Sequence, residues 1–175
     1  MTNTVTNDFT IRPAVEDDVP LILQFIRKLA EYERLSHEMV ATEETLQETL
    51  FGEKKTAEVI IGEYHRVPVA FAIFFHNYST FLGRPGIYIE DLYVNEEYRG
   101  YGFGFAMFQY IARLARDRKC GRLEWAVLDW NEPAIQFYKK LGAAAMSDWT
   151  VYRMTGGAIE RLTQTTDVKD STDFV

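Results

Sequence analysis

The chain has 175 residues, one cysteine, and a formal net charge of −7 from 26 acidic and 19 basic side chains. That length suits one domain that buries roughly two thirds of its unfolded surface, the acidic balance argues against a nucleic-acid partner, and the lone Cys120 excludes an internal disulfide and suits a reducing compartment. No apolar run approaches the roughly 20 residues of a membrane span, and the segment from Met1 to Phe9 lacks the basic start and apolar middle of a signal peptide, so the expectation is a cytoplasmic protein with no membrane partner.

In chain order, Phe9 to Ala14 reads as a short strand. Asp17 and Asp18 then offer N-cap oxygens, Pro20 suits a first turn, and Ile22, Phe25, Ile26 and Leu29 recur at helical spacing. Thr42 with Glu43 and Glu44 opens a second helix, whose inner face carries Leu46 and Leu50 and which Gly52 ends. Ala57 to Tyr64 and Val67 to His76 read as a hairpin around Tyr64-His65-Arg66, with Pro68 weakening the pairing of the second arm. Ile87 to Val94 is a third strand of this group, and Met107, Ile111 and Leu114 mark the buried stripe of a helix ending near Gly121. Leu123 to Leu128 is a further strand. Asn131 and Pro133 open a helix that Gly142 stops, and Trp149 to Met154 is a final strand. The residues before Phe9 and from Glu160 onward are polar termini, which leaves one domain over residues 9–156.

Between the strand at Ile87 to Val94 and the following helix lies Arg99-Gly100-Tyr101-Gly102-Phe103-Gly104. A glycine-rich turn of this kind aims backbone N–H groups and a helix dipole at one spot, which suits a phosphate or diphosphate. A Walker loop would need Gly-Lys-Ser or Gly-Lys-Thr, but Phe105 and Ala106 follow Gly104. A dinucleotide fingerprint would need a glycine where Phe105 stands.

The segment from Arg99 to Gly104 resembles the (Arg/Gln)-x-x-Gly-x-(Gly/Ala) motif of the GCN5-related N-acetyltransferase (GNAT) superfamily. The stretch Trp130-Asn131-Glu132-Pro133-Ala134-Ile135-Gln136-Phe137-Tyr138-Lys139-Lys140-Leu141-Gly142-Ala143, with Tyr32-Glu33 and Glu90-Asp91, is similar to its diamine and thialysine acetyltransferases. The match runs from about Ile11 to Met154. It implies an α/β fold with a mixed central sheet of about six to seven strands flanked by about four helices. It also implies transfer of an acetyl group from acetyl-CoA to a small primary amine by direct attack in a ternary complex. Other readings within reach are a protein or aminoglycoside acetyltransferase, and a non-catalytic acyl-CoA-binding module.

Site roles follow from the same resemblance. The cofactor contacts it implies are Leu92, Tyr93, Val94, Arg99, Gly100, Tyr101, Gly102, Phe103 and Gly104, together with Asn131, Pro133 and Lys140. A backbone N–H near Leu92 or Tyr93 would meet the thioester oxygen at a bulge. Tyr138 would be the general acid toward the thiolate, and Glu90 the acid that binds the amine or accepts its proton through water. Tyr32, Glu33, Trp125 and Asp148 complete the substrate contacts. In a regular strand Asp91 faces away from Glu90, so the working acid of the pair stays open between them. His37, His65 and His76 are too scattered for a metal site, and none is expected. The family also implies a homodimer.

Overall fold

The computed structural model describes residues 8–164, which fall into two compact units divided between Leu128 and Asp129. The first holds a mixed five-stranded sheet of β1 (Phe9–Pro13), β2 (Glu58–Tyr64), β3 (Val67–Ser79), β4 (Arg84–Val94) and β5 (Leu123–Trp125) in that spatial order. The first four strands pair antiparallel and β4 pairs β5 in parallel, as the crossover through a helix between them requires. The helices of this unit are α1 (Val19–Glu33), α2 (Glu43–Phe51) and α3 (Phe103–Asp117).

Alternation along the strands divides the core. Ile61 and Phe71 join Ile22, Phe25, Leu46 and Leu50 of α1 and α2, and the Phe25 and Phe71 rings stack at 5.2 Å. Their neighbours Gly62 and Ala70 face the other way, under Met107 of α3. A Cβ on Gly62 would stand 2.7 Å from the Phe9 ring and 3.1 Å from Met107 Sδ, so glycine there sets how closely α3 lies on the sheet. The Phe9 ring in turn stacks on Phe103 at 4.1 Å, fixing the first residue of α3.

Two irregularities shape the strands. The β2–β3 turn places His65 and Arg66 at φ 49° and 64°, the left-handed pair of a tight hairpin turn filled without glycine. Pro68 lacks an N–H, and the register slips beside it, from Glu63 opposite Pro68 to Gly62 opposite Ala70. Val69 is left outside the ladder, and its carbonyl accepts the Asn95 N–H at 2.9 Å. The second slip lies between β3 and β4, where Ile73 faces Asp91 while the next residue, Phe74, faces Ile89. Glu90 is therefore an extra, bulged residue. Ile87 and Ile89 share the face of Phe74, whereas Asp91 and Tyr93 share that of Ile73 and Phe71, toward α1.

The second unit holds α4 (Glu132–Lys140) and α5 (Gly156–Gln164). Asn131 caps α4 by accepting the Ala134 N–H at 3.4 Å, and Gly142 leaves it in the left-handed conformation at φ 84°. Three expectations change. The sheet has five strands rather than six or seven, because β5 stops at Trp125 and Trp149 to Met154 is assigned to no strand. Trp149, Val151, Tyr152 and Met154 are all more than half exposed, so this stretch shows an apolar composition without a sheet to add to. The polar C-terminal segment begins as a helix, α5, whose Ile159 and Leu162 form a stripe too short to stand out from its surroundings. The remainder of that tail and residues 1–7 lie outside the described residues.

Asp18 does not cap α1 with its side chain. Its carboxylate takes two hydrogen bonds from the Arg12 guanidinium, at 2.6 and 2.9 Å, and one from the Val15 N–H at 2.8 Å, while Arg12 Nε reaches Glu63 at 2.8 Å. Arg12 holds the Asp18 carboxyl below the usual carboxylate range, and the Val15 N–H adds to it. The resulting stability is present at neutral pH and is lost as the pH falls through that lowered value. Arg12→Leu is expected to destabilise the protein by about 1–2 kcal/mol at pH 7, a figure discounted for the partial exposure of Arg12, and by less near pH 3. Urea unfolding at the two pH values checks this.

Candidate active site

The turn from β4 into α3 is built as an anion cradle. Gly100 and Gly102 adopt φ 86° and 85°, a region side chains resist, and Gly102 occupies the N-cap position without offering a side-chain oxygen. The first turn of α3 holds no acidic residue. Its opening N–H groups precede the first intrahelical bond, from Ala106 to the Gly102 carbonyl at 3.0 Å. A Cβ on Gly104 would meet only Val94 Cγ2, at 3.9 Å, so the residue leaves open space beside these amides. A helix start with no cap and no acid leaves its N–H groups open to an external anion, and the residues fit a diphosphate.

Upstream of the cradle, β4 loses its partner. Pairing with β5 extends from Ile87 opposite Leu123 to Ile89 opposite Trp125, and then stops. The edge from Glu90 to Val94 therefore has no strand beside it on that side among the described residues, which suits an extended, amide-bearing chain laid along Leu92, Tyr93 and Val94.

The bulge also gathers the acids. Asp91 is half-buried, and its carboxyl is pushed up to about 7, first by burial and then by the charges of Glu90 and Glu33. Burial pushes the Glu33 carboxyl up as well. Glu33 is the last residue of α1, where Arg34 turns left-handed at φ 62° and ends the helix. The charges of Glu90 and Glu33 thus both bear on Asp91, and a cation would relieve the difficulty of charging it.

Between the acids and the cradle stands Arg99, whose guanidinium lies 4.3 Å over the Tyr32 ring and 5.4 Å over that of Tyr93. Trp125 packs its ring edge-on to Phe108 of α3 at 5.1 Å. Tyr101 is half-exposed on the cradle, and its ring stands 6.2 Å from Tyr64 and 5.6 Å from Phe103. The first unit holds Tyr32, Glu33, Glu90, Tyr93 and Arg99, with Tyr32 and Tyr93 against Arg99 and the charges of Glu33 and Glu90 acting on Asp91. It adds Asp91, which adjacency alone left open, and the Arg99 contact with Tyr32, which only the packing of α1 reveals.

Asn131, Pro133, Tyr138, Lys140 and Asp148 belong to the second unit. Asn131 is buried at the start of α4 and Pro133 lies in its first turn. Tyr138 follows Asn131 by seven residues, two turns on, so both lie on one side of the helix. Its ring is half-buried and 5.6 Å from that of Phe137. Lys139 and Lys140 are exposed in the last turn, and Asp148 is exposed in the segment after the helix. Among the described residues no three His, Cys, Asp or Glu side chains are grouped to hold a metal, and no helix is long and apolar enough to cross a membrane.

The raised Asp91 carboxyl gives a pH signature. A group that binds its proton more tightly when folded withdraws stability as the pH rises through the window from about 4 to about 7. Asp91→Asn is expected to stabilise the protein by roughly 2 kcal/mol at pH 8 and to leave it nearly unchanged at pH 4. Urea unfolding of both proteins at both pH values checks it.

Residues 24–143 match the acetyltransferase (GNAT) family. The chain is 39% identical over 163 residues to the thialysine N-epsilon-acetyltransferase of Bos taurus, a match covering 87% of this chain and 95% of that protein. It is 32% identical to the L-ornithine N5-acetyltransferase NATA1 of Arabidopsis thaliana, over 87% of this chain and 86% of that one. Among solved structures, an integron cassette protein from the mobile metagenome of V. cholerae superposes with a TM-score of 0.76 at 25% identity, covering 90% of this chain and 99% of its own. With its family-wide match and the α/β sheet that ends in an uncapped glycine cradle, the chain belongs to the GNAT superfamily, in its diamine and thialysine acetyltransferase subgroup, and is an N-acetyltransferase.

Proposed function

We infer that the protein transfers the acetyl group of acetyl-CoA to the primary amine of a small cationic acceptor, a diamine or a thialysine-like, lysine-like or ornithine-like amine. The observation that carries this reading is the β4 bulge. One extra residue, Glu90, turns Asp91 toward the α1 face beside Glu33, while the next residues of the same strand run to the anion cradle with no strand on their β5 side among the described residues. A cation site and a diphosphate site are thereby joined by one short edge. The names of the bovine and Arabidopsis relatives support an amine of this size as acceptor.

The chemistry follows from the groups present. The donor's diphosphate sits on the amides of Gly100 to Gly104 and its pantetheine arm runs along Leu92 to Val94. The ammonium group of the acceptor is held by Asp91, Glu33 and Tyr32, with Trp125 as a further contact, and loses a proton to Glu90 through water. The neutral nitrogen attacks the thioester carbon, so a C–N bond forms while a backbone N–H of β4 bears the oxyanion. Collapse breaks the C–S bond, Tyr138 gives its hydroxyl proton to the leaving thiolate, and the excess proton on nitrogen restores the phenol. Asn131, Pro133 and Lys140 of the second unit are proposed as donor contacts on the family resemblance alone. The protein acts as a homodimer, a reading supported by the exposed apolar stretch from Trp149 to Met154.

Two measurements test the reading. In steady-state turnover with acetyl-CoA, diamines, ornithine, lysine and thialysine are expected to be acetylated, and aminoglycosides and peptide N-termini not; turnover confined to the second group overturns the acceptor class. Tyr138→Phe is expected to lower kcat about a hundredfold while the calorimetric affinity for CoA stays within about threefold. An unchanged kcat removes Tyr138 from the proton transfer.

A further inference from the structure

The last turns of α1 meet the start of the anion loop at two points. Lys28 Nζ donates to Asn95 Oδ1 at 3.0 Å, and the Arg99 guanidinium lies on the Tyr32 ring at 4.3 Å. Lys28 and Tyr32 are four residues apart, and so neighbours on one helical face. Asn95 and Arg99, also four apart, bracket the single 3-10 turn Glu96–Tyr98 that leads to the glycines. The helix end and the loop are thus in register.

Arg99 makes this junction a three-way one. Besides Tyr32, its guanidinium lies over the Tyr93 ring at 5.4 Å, its Nε donates to the Val94 carbonyl at 3.1 Å, and a terminal nitrogen stands 4.0 Å from the Glu96 carboxylate. Asn95 is buried and anchored to the Val69 carbonyl. The strand end, the helix end and the loop therefore share one side chain. The residue after Tyr32 is Glu33, whose charge acts on Asp91.

We propose that Arg99, stacked on Tyr32, is a positioning residue that couples the diphosphate loop to the acceptor end of α1, so that filling the loop orders Glu33 and strengthens the hold on the amine. The inference rests on the acetyl-CoA reading of the cradle. Two effects give the coupling the same sign. An anion bound by the loop amides fixes Arg99 and, through the stacked ring, Tyr32, so the ordering of Glu33 is already done when the amine arrives. The anion's charge also offsets that of Arg99 beside a site meant for a cation. The coupling is reciprocal, as linkage demands.

Hydrogen exchange of the full chain with and without CoA, read by mass spectrometry alongside calorimetric CoA affinity, tests this without needing the acceptor's identity. CoA is expected to slow exchange over Glu31 to Leu35 by about fivefold or more in the native protein and in Tyr32→Phe, which keeps the ring. In Tyr32→Leu, which removes the stacked ring and leaves Arg99 in place, CoA is expected still to bind and to protect Gly100 to Ala106, with the slowing over Glu31 to Leu35 below about twofold. Loop protection in the native protein without any at Glu31 to Leu35, or equal slowing in Tyr32→Leu, overturns the coupling and leaves the donor site intact. Failure of CoA to bind the native protein overturns both.

Discussion

One extra residue in β4 governs the rest of the site. Side chains in a strand alternate, so without the bulge Ile89, Asp91 and Tyr93 would share a face. With Glu90 inserted, Ile89 stays with Phe74 on one side while Asp91 and Tyr93 turn to the side of α1. The strand thereby fills a core below the bulge and presents a carboxylate and an aromatic ring to the helix end above it. The same change of direction follows the loss of β5 as a partner, which frees the edge that runs to the glycines. Chemistry and packing thus divide at a single peptide.

The supports around this point are of different kinds. Beneath α3 the support is steric, because the hydrogen of Gly62 lets Met107 and Phe9 approach where a methyl group would clash. At the corner between β1 and α1 it is ionic, since Asp18 is tied to Arg12 and Arg12 to Glu63 of the next strand. At the loop it is a backbone bond, in which the Val69 carbonyl of β3 accepts the Asn95 N–H and so pins the residue where β4 gives way to the cradle.

Sequence spacing made the repeating parts of this fold legible. The helices over Val19–Glu33, Glu43–Phe51 and Phe103–Asp117 follow from apolar periodicity and their flanking polar or glycine residues, and the cradle from glycines placed where side chains are excluded. The bulge, implied by the family resemblance, was not legible from spacing, because it depends on how β3 and β4 pair across 17 residues, from Ile73 to Asp91 opposite it, rather than on any local pattern. The stretch Trp149 to Met154 shows the reverse failing: its composition is that of a strand, but a strand exists only where another lies beside it. Asp18 shows a third case, a residue in the position of a helix cap whose carboxylate is drawn away by a stronger donor, Arg12.

The uncapped start of α3 has a consequence for the whole molecule. Most helices carry their own answer to the unpaired N–H groups of the first turn, but here Gly102 supplies none and no acid follows. Those N–H groups are left to solvent or to a bound anion. A ligand at a hundred times its dissociation constant adds about 2.7 kcal/mol to the folded state, a sizeable share of the stability of an ordinary domain. If the donor proposed for this protein binds there, its supply would add to the stability of the fold as well as feed the reaction.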